Sequence, residues 1–286
     1  MTSRWVIGAR PRTLPAAVVP VLVGTAVASS QGGIIVWRSM AALVVSVAIQ
    51  VATNYANDYS DGVRGTDDVR VGPVRLVAGG LAPAKAVKRA AFAAFGVAGV
   101  FGLALTVAVG PELLVVGAAS LAAGWFYTGG SRPYGYVGLG EVAVFVFFGV
   151  VATVGSAYVH LEHVSGLAVL ASVAVGLLAT ALLVVNNLRD IPTDAAAGKR
   201  TLAVRLGDRS TRVLYVACVS GAFAVVPPVA LARPAALLTF ITLVLAQRPV
   251  KAVLGGSSGR DLIGVLVATG QLQLAFGLML ALGIAL

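Results

Sequence analysis

The chain has 286 residues, 58% of them hydrophobic and only 11% charged. A soluble domain carries roughly a quarter charged residues, so this composition excludes an ordinary soluble protein and points to an integral membrane protein. The net charge of +10 does not make a nucleic-acid binder, because the basic residues are scattered between apolar runs rather than gathered in one basic patch.

Apolar stretches of about 20 residues, the length that crosses a bilayer as a helix, fall near 14–30, 39–56, 86–108, 112–128, 138–159, 166–187, 212–231, 234–247 and 262–285. The first follows a basic start that imitates a signal peptide. The apolar runs beyond it, and Pro11, Pro15 and Pro20 along the N-terminal segment, favour a retained span. The eighth is short and is broken from the seventh by "VPPVALARP". The expectation is an all-α integral membrane protein with nine transmembrane helices in one domain, 1–286. The single cysteine, Cys218, lies in an apolar run and has no intrachain partner for a disulfide.

With nine spans, the N-terminus and the loops after the second, fourth, sixth and eighth share one side. That side carries every Lys and Arg except Arg38 and Arg233, so the positive-inside rule makes it cytoplasmic and puts the C-terminus outside. It also carries every acid except Glu112 and Glu162. An added or missing span would scramble this asymmetry. A multi-pass protein of the cell membrane with a cytoplasmic N-terminus is expected.

Two polar segments stand out on that side. "NYANDYSDGVRGTDD" begins at Asn54, directly after the uncharged run "SMAALVVSVAIQVAT". "NNLRDIPTDAAAGKRTLAVRLGD" begins at Asn186, at the end of the sixth span. Each opens with asparagines, continues into spaced aspartates and is followed by basic residues and another span. Four spans separate them, which suggests duplication of a four-helix unit with both segments facing one cavity. A charge at the bilayer centre costs roughly 2.5–3.5 kcal/mol even on the mildest insertion scale, so something must compensate these carboxylates. One such loop alone would be explained by solvation and by Arg64, Arg70, Arg189 and Lys199; a matched pair argues for shared chemistry.

On a continued helix Asn186, Asp190 and Asp194 share a face, as do Asn54, Asp58 and Asp61. Asn57 and Asp61 make a second pair four apart, and Asp67 follows beyond Gly65. Clustered oxygen ligands without matching bases suit a hard divalent ion, and Mg²⁺ takes one or two protein carboxylates and fills its shell with water and phosphate. A metal-bound diphosphate still carries negative charge, for which Arg12, Arg75, Arg132 and Lys199 are candidate partners. "HLEH", with His160 and His163 on the external side, and "GSSG" from Gly255 offer no comparable set.

The two acidic segments resemble the signature motifs of the UbiA superfamily of intramembrane prenyltransferases. The first has the form with Gly65 where an aspartate would otherwise stand. "ARPRTLPAAVVPVLVGT" from Ala9, "VGPVRLV" from Val71 and "YTGGSRPYGYVGLGE" from Tyr127 resemble the branch that prenylates 1,4-dihydroxy-2-naphthoate. The likeness runs from about residue 4 to 210. It implies helices around a central cavity with both aspartate motifs at its cytoplasmic mouth. It implies two substrates, a polyprenyl diphosphate and 1,4-dihydroxy-2-naphthoate, with Mg²⁺ as cofactor.

On that reading Asp58, Asp61 and Asp67 hold metal from one side and Asp190, Asp194 and Asn186 from the other. Asn54, Asn57 and Asn187 ligate or orient, and Arg12, Arg75, Arg132 and Lys199 take up phosphate charge. Phe126, Tyr127, Tyr134 and Tyr136 wall off an allylic cation. A related enzyme with another aromatic acceptor, or a cation transporter, are the alternatives.

Overall fold

The structure is a computed structural model that describes residues 3–66, 72 and 74–286. The expected metal ligand Asp67 lies outside the described residues. Among those described, all regular structure is helical. In chain order the helices are α1 (Arg4–Ala9), α2 (Pro15–Gln31), α3 (Val36–Arg64), α4 (Ala84–Val109), α5 (Glu112–Phe126), α6 (Gly140–Leu161), α7 (Gly166–Ala196), α8 (Leu202–Ala232), α9 (Pro234–Leu254) and α10 (Asp261–Ala285).

Seven of these, α3, α4 and α6 to α10, are long and apolar enough to cross a membrane. Arg4–Thr13 and Pro15–Gln31 meet at 53°, a bent apolar pair with the length of a broken span or a re-entrant loop. The fourth expected span is the exception. α5 has 15 residues, so it reaches about 22 Å, less than the roughly 30 Å hydrocarbon core. Each expected span thus has a helical counterpart among the described residues, and the protein is a multi-pass membrane protein.

The helix ends follow their residues. α3 stops at Gly65, whose φ of 71° is left-handed, and its N–H returns to the Asp61 carbonyl. The Ser165 hydroxyl caps α7 by accepting from the Ala168 N–H at 3.3 Å, and the Thr201 hydroxyl caps α8 through Val204 N–H at 3.4 Å. α7 is the most buried span; its Ala168, Ala171, Ala174 and Gly176 let neighbours approach closely.

One such approach lies between α6 and α7. Phe145–Val151 is π-helical, and Gly149 within it lies against α7 so tightly that a β-carbon there would stand 2.4 Å from the Gly176 Cα. Gly149→Val is therefore expected to destabilise the protein by about 1–3 kcal/mol through overpacking. Gly155→Ala, with nothing within 4 Å of its added carbon, should not lower the melting temperature in detergent, since Ala suits a helix interior better than Gly. A melting temperature for Gly149→Val equal to the parent would contradict the crossing described.

At the end of α3 opposite the acidic segment, the Arg38 guanidinium donates to Val159 O at 2.7 Å, Ala108 O at 3.0 Å and Glu162 Oε1 at 2.9 Å. It ties α3, α4 and α6 together there.

Candidate active site

A cavity of about 630 Å³ runs down the middle of the helices. On α3 its wall extends from Ala42 to Asp61, about 28 Å of helix at 1.5 Å per residue. The two ends differ. Near Asp61 the wall is polar and carries Asn54, Asn57, Asn186, Asp190, Asp194 and Lys199; toward Ala42 it is apolar, with Val45, Leu105, Leu113, Phe147 and Val159. A molecule with a charged head and a long hydrocarbon tail matches that gradient.

α3 presents Asn57 and Asp61 four residues apart, hence on one face. Asn57 Oδ1 accepts from the Thr128 hydroxyl at 2.7 Å. Asp61 accepts from the Tyr136 hydroxyl and pairs with Lys199 Nζ at 3.2 Å. That ammonium also sits over the Tyr136 ring, 4.8 Å from its centre. Tyr136 comes from the segment between α5 and α6, and Lys199 from the turn after α7. One carboxylate therefore gathers three parts of the chain. Burial first, and then the negative charge of Asp61, raise the Tyr136 phenol far above its ordinary value, so it stays protonated and donates. Tyr136→Phe keeps the ring under Lys199 and removes the donated bond. We expect a loss in kcat/KM of about 10- to 150-fold, since a bond to a charged group is worth roughly 1.5–3 kcal/mol, with folding intact. Tyr136→Leu, which removes the ring as well, should lose more.

α7 continues past its span through Pro192 to Ala196, so the second acidic segment is helical and projects Asn186, Asp190 and Asp194 toward the same cavity. The Arg189 guanidinium, buried beside them, grips Asp190 through two contacts of 2.7 Å and donates to Asn186 Oδ1 at 2.9 Å. Asn187 also lines the cavity and donates to Glu141 Oε1 at 2.9 Å. Glu141, 5% exposed at the start of α6, is an acid that a lone position in an apolar run did not reveal.

Of the other expected site residues, Asn54 lines the cavity, and its amide donates to Ala9 O at 2.9 Å. Arg12, Arg75, Tyr127 and Tyr134 also line it. Tyr127 and Tyr134 meet edge to face, with ring centres 5.5 Å apart, and burial pushes the Tyr134 phenol up to about 12. Asp58 is not part of the cavity wall. Arg132 and Phe126 are exposed and also stand away from it. Arg10, inside the "ARPRT" stretch, does line the cavity. Sequence alone pointed to its neighbour Arg12.

Oxygen atoms of Asn57 and Asp61 from α3 and of Asn186, Asp190 and Asp194 from α7 are hard donors facing one space. No three His, Cys, Asp or Glu among the described residues stand close enough to hold an ion alone. The set thus fits a cation that brings water and phosphate as the rest of its shell, as Mg²⁺ does.

A model of the UbiA prenyltransferase family matches residues 17–254. The chain belongs to the UbiA prenyltransferase family. Within that family it is 48% identical over 279 residues to the 1,4-dihydroxy-2-naphthoate octaprenyltransferase of Mycobacterium tuberculosis, covering 98% of this chain and 96% of that one. The enzyme of the same name from Escherichia coli is 41% identical over 224 residues, 76% of this chain and 72% of the relative. Among solved structures, a UbiA homologue from Archaeoglobus fulgidus bound to GPP and Mg²⁺ superposes with a TM-score of 0.71 at 12% identity, covering 97% and 99% of the two chains. The apo UbiA homologue from Aeropyrum pernix gives 0.69 at 18% identity, covering 99% and 98%. At such identities these two structures speak for the fold alone.

Proposed function

We propose that this UbiA family member transfers a polyprenyl group from its diphosphate to 1,4-dihydroxy-2-naphthoate at the cytoplasmic face of a bacterial plasma membrane. The single observation that carries the reading is that α3 and α7 bring two acidic arms to the polar end of one cavity whose other end is apolar. The near full-length likeness to naphthoate prenyltransferases supports the acceptor.

The allylic carbon–oxygen bond breaks and the diphosphate leaves with its electron pair. The ring carbon then takes the prenyl group, and the carboxyl group departs as carbon dioxide. The ring keeps both hydroxyls, so demethylmenaquinone forms as its quinol. Asp61, Asp190 and Asp194, with Asn57 and Asn186, are the groups that would hold Mg²⁺. When bound there, the ion neutralises charge on the leaving diphosphate. Lys199, Arg12 and Arg75 draw the diphosphate into the mouth by charge-assisted bonds. Tyr127 and Tyr134 present ring faces that tolerate positive charge while excluding water. The apolar wall holds the tail, and the substrate reaches it from the bilayer.

Purified protein in nanodiscs, given labelled polyprenyl diphosphate and Mg²⁺, is expected to form a lipid-soluble product with dihydroxynaphthoate. It should form none with 4-hydroxybenzoate, homogentisate or haem. Product with one of those alone would reassign the acceptor, and ion flux in liposomes without product from any acceptor would overturn the enzyme reading. Chelation with EDTA should abolish turnover, and added Mg²⁺ should restore it; turnover that persists in EDTA would contradict the metal-assisted step.

A further inference from the structure

We propose that Asp58 is a positioning residue that aims two arginines at the diphosphate, and that it does not ligate metal. The proposal rests on the cavity being a prenyl diphosphate site. Along α3 the wall residues Gln50, Asn54, Asn57 and Asp61 recur at three- and four-residue spacing and form one stripe. Asp58 is one residue past Asn57, a turn of about 100° around the helix. It lies off the wall and is 1% exposed.

Behind the wall it meets two segments from elsewhere in the chain. Oδ1 accepts from Arg10, in the turn after α1, and from Arg75 at 2.7 Å, in the connection between α3 and α4. Oδ2 accepts from the Leu76 backbone N–H at 3.1 Å. Arg10 and Arg75 themselves line the cavity. The order is thus carboxylate, then guanidiniums, then cavity.

Electrostatics follows from that order. Both guanidiniums that Asp58 holds reach the wall, where they meet an anion in the cavity and attract it. Asp58 is absent from the wall that a cation in the cavity would meet, whereas Asp61 and Asp190 stand on it although their oxygens also have partners. Guanidinium forks match phosphate oxygens in pairs. The backbone agrees. Arg10 has a φ of 53°, a left-handed conformation that an arginine keeps only where its surroundings hold it. The bonds from its side chain to Asp58 and to Asn54 O, the latter 3.2 Å, supply that hold. Asp61 differs, because it is itself on the wall.

The test is titration of the full-length protein in detergent with inorganic diphosphate in EDTA, followed by kinetics with Mg²⁺. Without metal, Asp58→Asn, Arg10→Gln and Arg75→Gln should each weaken binding about tenfold, the scale of one charge-assisted bond. Asp58→Asn combined with Arg10→Gln should weaken it little further, since the two act as one unit. Asp61→Asn, which removes a negative charge from the cavity, should bind diphosphate at least as tightly as the parent. In turnover, Asp58→Asn should raise KM for the prenyl diphosphate while leaving kcat and the Mg²⁺ concentration for half-maximal rate near the parent's; Asp61→Asn should raise the Mg²⁺ requirement.

Metal-free binding by Asp58→Asn equal to the parent, or an Mg²⁺ requirement raised as in Asp61→Asn, would overturn the proposal. If Asp58→Asn is not monodisperse, the arginine variants decide it: parent-like binding in both refutes the positioning role. A parent protein that binds diphosphate in this arginine-dependent way yet forms no prenylated naphthoate would refute the proposed function and leave this inference standing.

Discussion

Replacing Asp61 by Asn is expected to lower turnover about 100- to 1,000-fold, the range seen when one group that stabilises transition-state charge is removed. The protein should remain folded. Asp61 lines the cavity and carries the Tyr136 hydroxyl and Lys199 on its two oxygens. The amide variant keeps the volume and can still accept from Tyr136, so the local packing survives. What it loses is the negative charge that a leaving-group cation requires. Lys199 keeps a second perch, the Tyr136 ring, which limits the cost of losing its carboxylate partner. Asp190→Asn should behave alike, since Asp190 faces the same space from α7 and the amide keeps an acceptor for the buried Arg189. Initial rates beside melting temperatures check both variants. Parent-like turnover in either, at unchanged stability, would remove that arm from the mechanism.

Gly155→Phe is expected to convert the enzyme to short prenyl donors. Gly155 lines the cavity on α6, and a β-carbon built there meets nothing within 4 Å. It lies fifteen residues beyond Gly140 in the sequence, about 22 Å along a helix at 1.5 Å per residue. A phenyl ring at that depth fills the tail bay and leaves Asp61, Asp190 and Lys199 untouched. The rate constant kcat/KM for long polyprenyl diphosphates should fall about 100-fold or more, since forcing a tail against a filled site costs about 1–3 kcal/mol per misfit and several isoprene units are displaced. Geranyl diphosphate, which ends short of the ring, should react within about threefold of the parent, well under 1 kcal/mol. Equal losses for both donors would show that the tail does not run down this side of the cavity.

Hydropathy sufficed to place the helices, because the bilayer makes length and apolarity nearly the whole rule. α5 was the one whose length was overread. Its apolar run continued through Tyr127, where the helix ends and the chain turns toward Tyr134 and Tyr136. The pairing of the acidic segments was legible from their matched position at two span ends. The face of each residue was less so. Both Asn54–Asp58–Asp61 and Asn57–Asp61 satisfy a helical stripe, and only the packing of Arg10 and Arg75 against Asp58 separates wall from backing. Arg132, basic and close to the aromatic stretch, lies exposed in the turn before Tyr134, a placement the sequence did not indicate. Glu141 gave no signal, since its partner Asn187 lies 46 residues away. The π-helical stretch of α6, which holds Gly149 where it packs on Gly176, was equally hidden.

The central claim is that α3 and α7 share one metal–diphosphate site. A structure of the protein with Mn²⁺ and a non-reactive prenyl thiolodiphosphate, using anomalous scattering to locate the metal, tests it most directly. The account expects metal between Asp61 on α3 and Asp190 or Asp194 on α7, with the diphosphate bridging and the tail directed toward Gly155. Metal bound by one arm alone, or a diphosphate outside the cavity, would contradict it.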